Sequence, residues 1–185
     1  GGRRCSTMPL VFEAASWQDG VYMAATMGSE TTAAASGQVG QVRRDPFAML
    51  PFMGYHMGSY FQHWLNFAEK LPTAGLPRIY GVNWFLQGDK GEFLWPGFGD
   101  NMRVLQWIFE RVRQRSAARQ TEIGLMPGYA DMNFDGLEGF DEAAFAKLTT
   151  LQRELWIQEL ALHKSLFESL GERLPETLAL KREEL

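Results

Sequence analysis

Phe85, Phe93 and Phe98 lie in a stretch that closes on Phe93-Leu94-Trp95-Pro96-Gly97-Phe98-Gly99-Asp100-Asn101, the part of the chain best equipped to grip a planar ring. Aromatic faces stack on rings, glycines admit a ligand close to the backbone, and the Asn101 amide offers both a donor and an acceptor to a base edge. Three phenylalanines so close together are equally suited to a core, so the pattern leaves core and slot open.

A second stretch, Ser29 to Gln41, is small and nearly uncharged, bounded by Glu30 on one side and by Arg43 and Arg44 on the other. Such a segment is either a loop that folds over a site or an ordinary connection. A third, Asp131-Met132-Asn133-Phe134-Asp135-Gly136 with Glu142, satisfies the calcium-loop template. Gly124, Pro127 and Gly128 spoil the incoming helix, however, and there is no second loop, which favours a solvated acidic turn. His56, His63 and His163 lack metal-ligand spacing and read as hydrogen-bonded core or groove residues. Arg111, Arg113, Arg115 and Arg119 read as a solvated helix end, and Cys5 has no histidine near in sequence to activate it.

These groups need a scaffold, and 185 residues with 45% apolar and 13% aromatic side chains suffice for one core-bearing domain. A net charge of -4 gives no cationic field for nucleic acid. A single cysteine excludes an internal disulfide and points to a reducing compartment. Pro46 to Ala68 carries no charged residue, but prolines, glycines and polar side chains interrupt it, so a buried loop and helix are expected there rather than a membrane span. Met8 to Phe12 and Arg78 to Phe85 read as strands. Ser16 with Asp19 makes a capping box for a helix through Trp17, Val21 and Ala24 to Gly28. Asp100 reads as the N-cap of a helix that buries Leu105, Ile108, Phe109 and Val112. Leu155, Trp156, Leu160, Leu162, Leu166, Phe167 and Leu170 read as the apolar stripe of another helix, ending at Gly171. The fold class is mixed α/β, sheet and helix first and a helical tail over 140–185.

The strings Gly1-Gly2-Arg3-Arg4, Pro9 to Ala14, Ser16-Trp17-Gln18, Ser29-Glu30 with its alanines, Asp45 to Met49, Val82 to Phe85 and Phe93 to Asn101 together resemble the C-terminal portion of GTP-dependent phosphoenolpyruvate carboxykinase. The resemblance is strong to about Val112 and thinner beyond. It implies one fragment of a nucleotide-binding domain, 1–185, from an enzyme that converts oxaloacetate and GTP to phosphoenolpyruvate, GDP and carbon dioxide in gluconeogenesis with manganese or magnesium.

The same resemblance implies that Arg3 contacts the nucleotide phosphates. It further implies that Phe85, Phe93 and Phe98 enclose guanine within the segment 83–101, and that Phe98, Gly99, Asp100 and Asn101 touch the base. Ser29, Glu30, Thr31, Thr32, Ala33, Ala34, Ala35, Ser36 and Gly37 would belong to a lid over 29–43. Asp100 stands where the family also uses glutamate, His56 where asparagine is common, and Ser36-Gly37-Gln38 lacks the charges many relatives carry. The phosphate-cradling loop and the metal ligands are expected upstream of Gly1, so no catalytic residue is expected within the chain. The implied partners are GTP or GDP and oxaloacetate or phosphoenolpyruvate, in a monomer of the cytoplasm or mitochondrial matrix. A non-catalytic purine-binding fragment and a calcium module are the alternatives.

Overall fold

The structure is a computed structural model that describes residues 2–31, 40–72 and 75–185. After an irregular opening, β1 (Val11–Glu13) leads into α1 (Trp17–Ala25). The predicted N-cap forms, with Asp19 N–H donating to Ser16 Oγ at 3.1 Å, but the reciprocal half of the box does not, because the Asp19 carboxylate takes the Ser16 hydroxyl at 2.6 Å in place of the Ser16 N–H. The helix ends earlier than Gly28, because the Thr26 N–H and hydroxyl both turn back onto the Tyr22 carbonyl. Gly28 instead opens β2 (Gly28–Glu30), which pairs antiparallel with β3 (Val42–Arg44).

The uncharged run from Pro46 breaks into two short 3-10 turns and the helices α2 (Met57–Leu65) and α3 (Phe67–Lys70). Among the described residues no helix is long and apolar enough to cross a membrane. The chain then adds β4 (Tyr80–Val82), α4 (Asn101–Val112), β5 (Arg119–Thr121) and β6 (Gly124–Met126). A four-stranded antiparallel sheet in the order β4-β1-β6-β5 results, with β1 at its centre. Three helices close the chain: α5 (Glu142–Thr149), α6 (Arg153–Glu168) and α7 (Glu176–Glu184). Both strands predicted from sequence are present but shorter than their apolar runs.

Two cores divide the work. One packs Leu10, Val11, Leu86, Trp95, Val104, Trp107 and Leu148 between the sheet, α4 and α5. The other packs Trp17, Val21, Phe61, Leu65, Phe167 and Leu178 between α1, α2, α6 and α7. A Cβ on Gly58 would run into the Arg173 carbonyl, so glycine is what lets α2 settle against the turn before α7.

Three local features differ from what the sequence predicts. Helix α4 is rotated from the predicted face: Val104 and Trp107 are buried and Ile108 packs against them, while Leu105, Phe109 and Val112 are exposed. Asp100 makes no side-chain cap, because Arg103 Nε takes its carboxylate at 2.8 Å. Arg111 is not solvated; its Nε donates to the buried Glu13 at 2.7 Å, and Arg78 holds the other oxygen of that carboxylate at 2.9 Å.

Candidate nucleotide site and the buried ion cluster beneath it

Residues 86–94 form a hairpin stem. Leu94 N–H donates to the Leu86 carbonyl, Gly88 N–H to the Glu92 carbonyl, and Gln87 bridges to Phe93. Alternation along the stem sends Leu86 into the core and leaves Phe93 outside, its ring edge-on to Phe85 at 6.2 Å. The backbone then turns through Gly97, whose φ of 75° and ψ of -160° suit only glycine, into a 3-10 turn over Phe98–Asp100 that runs straight into α4.

Phe98 itself adopts a φ of 49° and is 94% exposed. A bulky residue in that region stores about 1–3 kcal/mol of strain. A ring held out in water at such a cost, with no ring contact among the described residues, is not a core residue. The core reading of the three phenylalanines therefore fails for Phe93 and Phe98, and Leu86 and Trp95 fill the interior in their place.

Trp95 also decides which way the Asn101 amide faces. The indole Nε1–H, which can only donate, points at Asn101 Oδ1 from 2.8 Å. The amide oxygen is thereby used, and Nδ2 is the group left to meet a ligand. Asn101 thus presents a donor, which an acceptor such as a purine 6-oxo group satisfies and a 6-amino group does not. Arg3 completes the site: its guanidinium lies 4.9 Å from the centre of the Phe85 ring and has no carboxylate partner among the described residues.

Beneath Arg3 lies a cluster that the sequence patterns do not reveal. Glu159 of α6 is almost fully buried and accepts Arg4 Nη1 and Nη2 at 3.0 and 2.7 Å, Arg44 Nη1 at 2.7 Å and His163 Nε2 at 3.1 Å. Burial opposes ionisation of Glu159, but the hydrogen bonds from His163, Arg4 and Arg44 outweigh it and hold the carboxyl well below the usual carboxylate range. Burial also pushes His163 below the ordinary histidine value, with Glu159 opposing, so the ring is neutral. With Nε2–H donated to Glu159, Nδ1 accepts from the Tyr22 hydroxyl at 2.8 Å.

Glu30 forms the second half of the cluster, 3.5 Å from Arg4 Nε and accepting both the N–H and the thiol of Cys5 at 3.0 and 2.6 Å. Burial first, and Glu30 second, push the Cys5 thiol up, so it stays protonated and is no nucleophile.

Of the lid residues, Ser29 and Glu30 lie on β2 and Thr31 follows it, while Thr32, Ala33, Ala34, Ala35, Ser36 and Gly37 lie outside the described residues. His56 accepts from Gly58 N–H at the start of α2, and His63 is exposed with its ring edge-on to Phe67. In the acidic loop the carbonyls of Asn133 and Asp135 accept Arg103 at 2.9 and 3.0 Å, and Asp131 accepts Gly128 N–H at 2.8 Å. Among the described residues no three histidine, cysteine or acidic side chains converge to hold a metal. The described residues therefore do not by themselves supply a site for the manganese or magnesium that the resemblance implies. A cavity of about 540 Å³ is lined by Phe12, Tyr22, Trp156 and His163 among others. Its only arginine and lysine, Arg4 and Lys181, are already paired with carboxylates, so it offers no free cation to a phosphate.

Comparison with known proteins decides what kind of chain this is. The family model for the phosphoenolpyruvate carboxykinase C-terminal P-loop domain matches residues 1–185. The chain belongs to the phosphoenolpyruvate carboxykinase family. Its relatives include the phosphoenolpyruvate carboxykinase [GTP] of Anaeromyxobacter sp. (strain K), 52% identical over 99% of this chain, and that of Chlamydia caviae, 47% identical over 96%. The chain spans about 30% of the length of each of these carboxykinases.

Proposed function

We propose that this chain is the guanine-nucleotide-gripping part of a GTP-dependent phosphoenolpyruvate carboxykinase, acting within a longer protein. The observation that carries the reading is Asn101. Its amide, oriented by Trp95, offers a donor three residues from Phe98, on the segment that also carries the paired rings Phe85 and Phe93, and the Arg3 cation, which has no carboxylate partner among the described residues, lies over Phe85. The phenylalanines would enclose a purine, Asn101 Nδ2 would donate to its 6-oxo group, and the Arg3 guanidinium would grip phosphate oxygens. Gly99 and Asp100, on the turn between Phe98 and Asn101, would line the base edge.

In the reaction assigned to the longer protein, oxaloacetate loses carbon dioxide and its electron pair stays on the three-carbon enolate. The enolate oxygen takes the γ-phosphoryl group of GTP, and GDP departs. Residues 29–43 are assigned to covering the substrates, which keeps protons from the enolate until phosphorylation is complete. The metal ligands and the groups that handle oxaloacetate are assigned to residues outside these 185.

The test is turnover by the longer protein with GTP, ITP and ATP. GTP and ITP share the 6-oxo group and should both support phosphoenolpyruvate formation, whereas ATP should not. The isolated 185 residues should form none, and product above a no-protein blank would overturn the assignment of the reaction centre to residues outside the chain.

A further inference from the structure

We propose that Glu159 is a positioning residue for nucleotide phosphates, acting on Arg3 through the two arginines it holds, the buried Arg4 and the partly buried Arg44. This rests on the reading of Arg3 as the phosphate-gripping cation.

Connection and charge both support this role. Arg3 is fixed on both sides of its main chain. Its N–H points to Ser29 Oγ at 3.4 Å and its carbonyl accepts Glu30 N–H at 2.8 Å, which ties it to β2. Its neighbour Arg4 is gripped by both Glu159 oxygens, and Arg44, on the strand paired with β2, is gripped by one of them. A single carboxylate on α6 thus holds the segment carrying Arg3 and the hairpin against which that segment lies.

The Arg4 N–H also donates to Asn83 Oδ1 at 3.2 Å, and Phe85 N–H donates to the same oxygen at 3.2 Å. The aromatic slot and the Arg3 segment therefore meet at the Asn83 side chain, which is itself held by its own amide donating to the Met8 carbonyl at 2.8 Å. In charge, the two arginines Arg4 and Arg44 balance the two carboxylates Glu159 and Glu30. With that balance struck, Arg3, one residue from Arg4, has no carboxylate partner among the described residues and keeps its charge for an anion.

A shorter or absent arm should move Arg3 and leave the stacking surface in place. The experiment measures GTP and guanosine dissociation constants by calorimetry on the longer protein, for Arg3→Ala, Glu159→Asp and Arg44→Met. Glu159→Asp keeps the charge but is one methylene too short to span both arginines. Arg44→Met leaves the Glu159–Arg4 pair intact and is decisive by itself should Glu159→Asp not fold.

GTP binding should weaken about tenfold in both, on the scale of one charge-assisted hydrogen bond, with guanosine binding unchanged. Equal weakening of GTP and guanosine would mean that the cluster only supports the fold, and no change in either would mean that Arg3 does not depend on it; both overturn the proposal. Arg3→Ala separates the two levels. If it costs GTP affinity and the other variants do not, this inference alone fails; if it costs nothing, the phosphate role of Arg3 fails and takes this inference with it.

Discussion

Phe98→Ala separates a binding role from a structural one more cleanly than any other substitution in the chain. At 94% exposure the ring buries almost nothing, so its removal should move the folding free energy by no more than about 0.5 kcal/mol. Stacking of a base on an aromatic side chain is worth about 1–3 kcal/mol, which is about a 5- to 160-fold rise in the nucleotide dissociation constant. The two numbers point in opposite directions for the two roles. The assay is a GTP saturation curve beside a thermal melt of the same preparation of the longer protein. Trp95→Ala serves as the core control, since truncating a fully buried tryptophan costs about 3–5 kcal/mol. A Phe98→Ala protein with a depressed melting point and an unchanged GTP constant would defeat the stacking assignment, because it would make the exposed ring a packing element.

Further outcomes follow from the same geometry. Asn101→Asp keeps an oxygen for Trp95 Nε1 but replaces the free donor with an acceptor, so GTP should weaken and the GTP-to-ATP preference should fall by about tenfold or more, read from kcat/KM with each nucleotide. His163 is held neutral and below its ordinary 6.5, so its contribution is complete above pH 6.5 and is lost as the pH falls toward its lowered folded value; His163→Gln should flatten that part of a denaturation-versus-pH curve. Glu159, also lowered, adds a second loss below its ordinary 4.5. Millimolar calcium should leave the circular dichroism unchanged, since Arg103 already takes the Asn133 and Asp135 carbonyls; a saturable change abolished by Asp131→Ala would revive the calcium loop.

What could be read from sequence was what depends on neighbours in sequence. The Ser16 cap on Asp19, the turn between Gln87 and Glu92 and the aromatic run to Asn101 are all local patterns, and each is present. Helix faces were harder. In α4 the many exposed apolar residues, Leu105, Phe109 and Val112, pulled the predicted face away from Val104 and Trp107. In α6 the buried line runs through Glu159, His163 and Phe167 at helical spacing, and the apolar pattern masked it because a glutamate is ordinarily placed in water. The only available signal was a histidine and a glutamate four residues apart in line with Phe167 and Leu170. Their partners Arg4 and Arg44 are 155 and 115 residues away, beyond the reach of any periodicity.

That separation also sets an order of events during synthesis. Arg4 leaves the ribosome 155 residues before Glu159, the carboxylate that grips it through both oxygens, which at about 5–20 residues per second is roughly 8–30 s. Through that interval a guanidinium destined for the interior must stay in water, and the segment around Arg3 cannot settle. The sheet's centre, β1, meets β4 far sooner. Assembly of this chain should therefore begin in the sheet and finish when α6 delivers Glu159, so a truncation before α6 should leave a product that pairs its strands but stays open to proteolysis around Arg3 and Arg4.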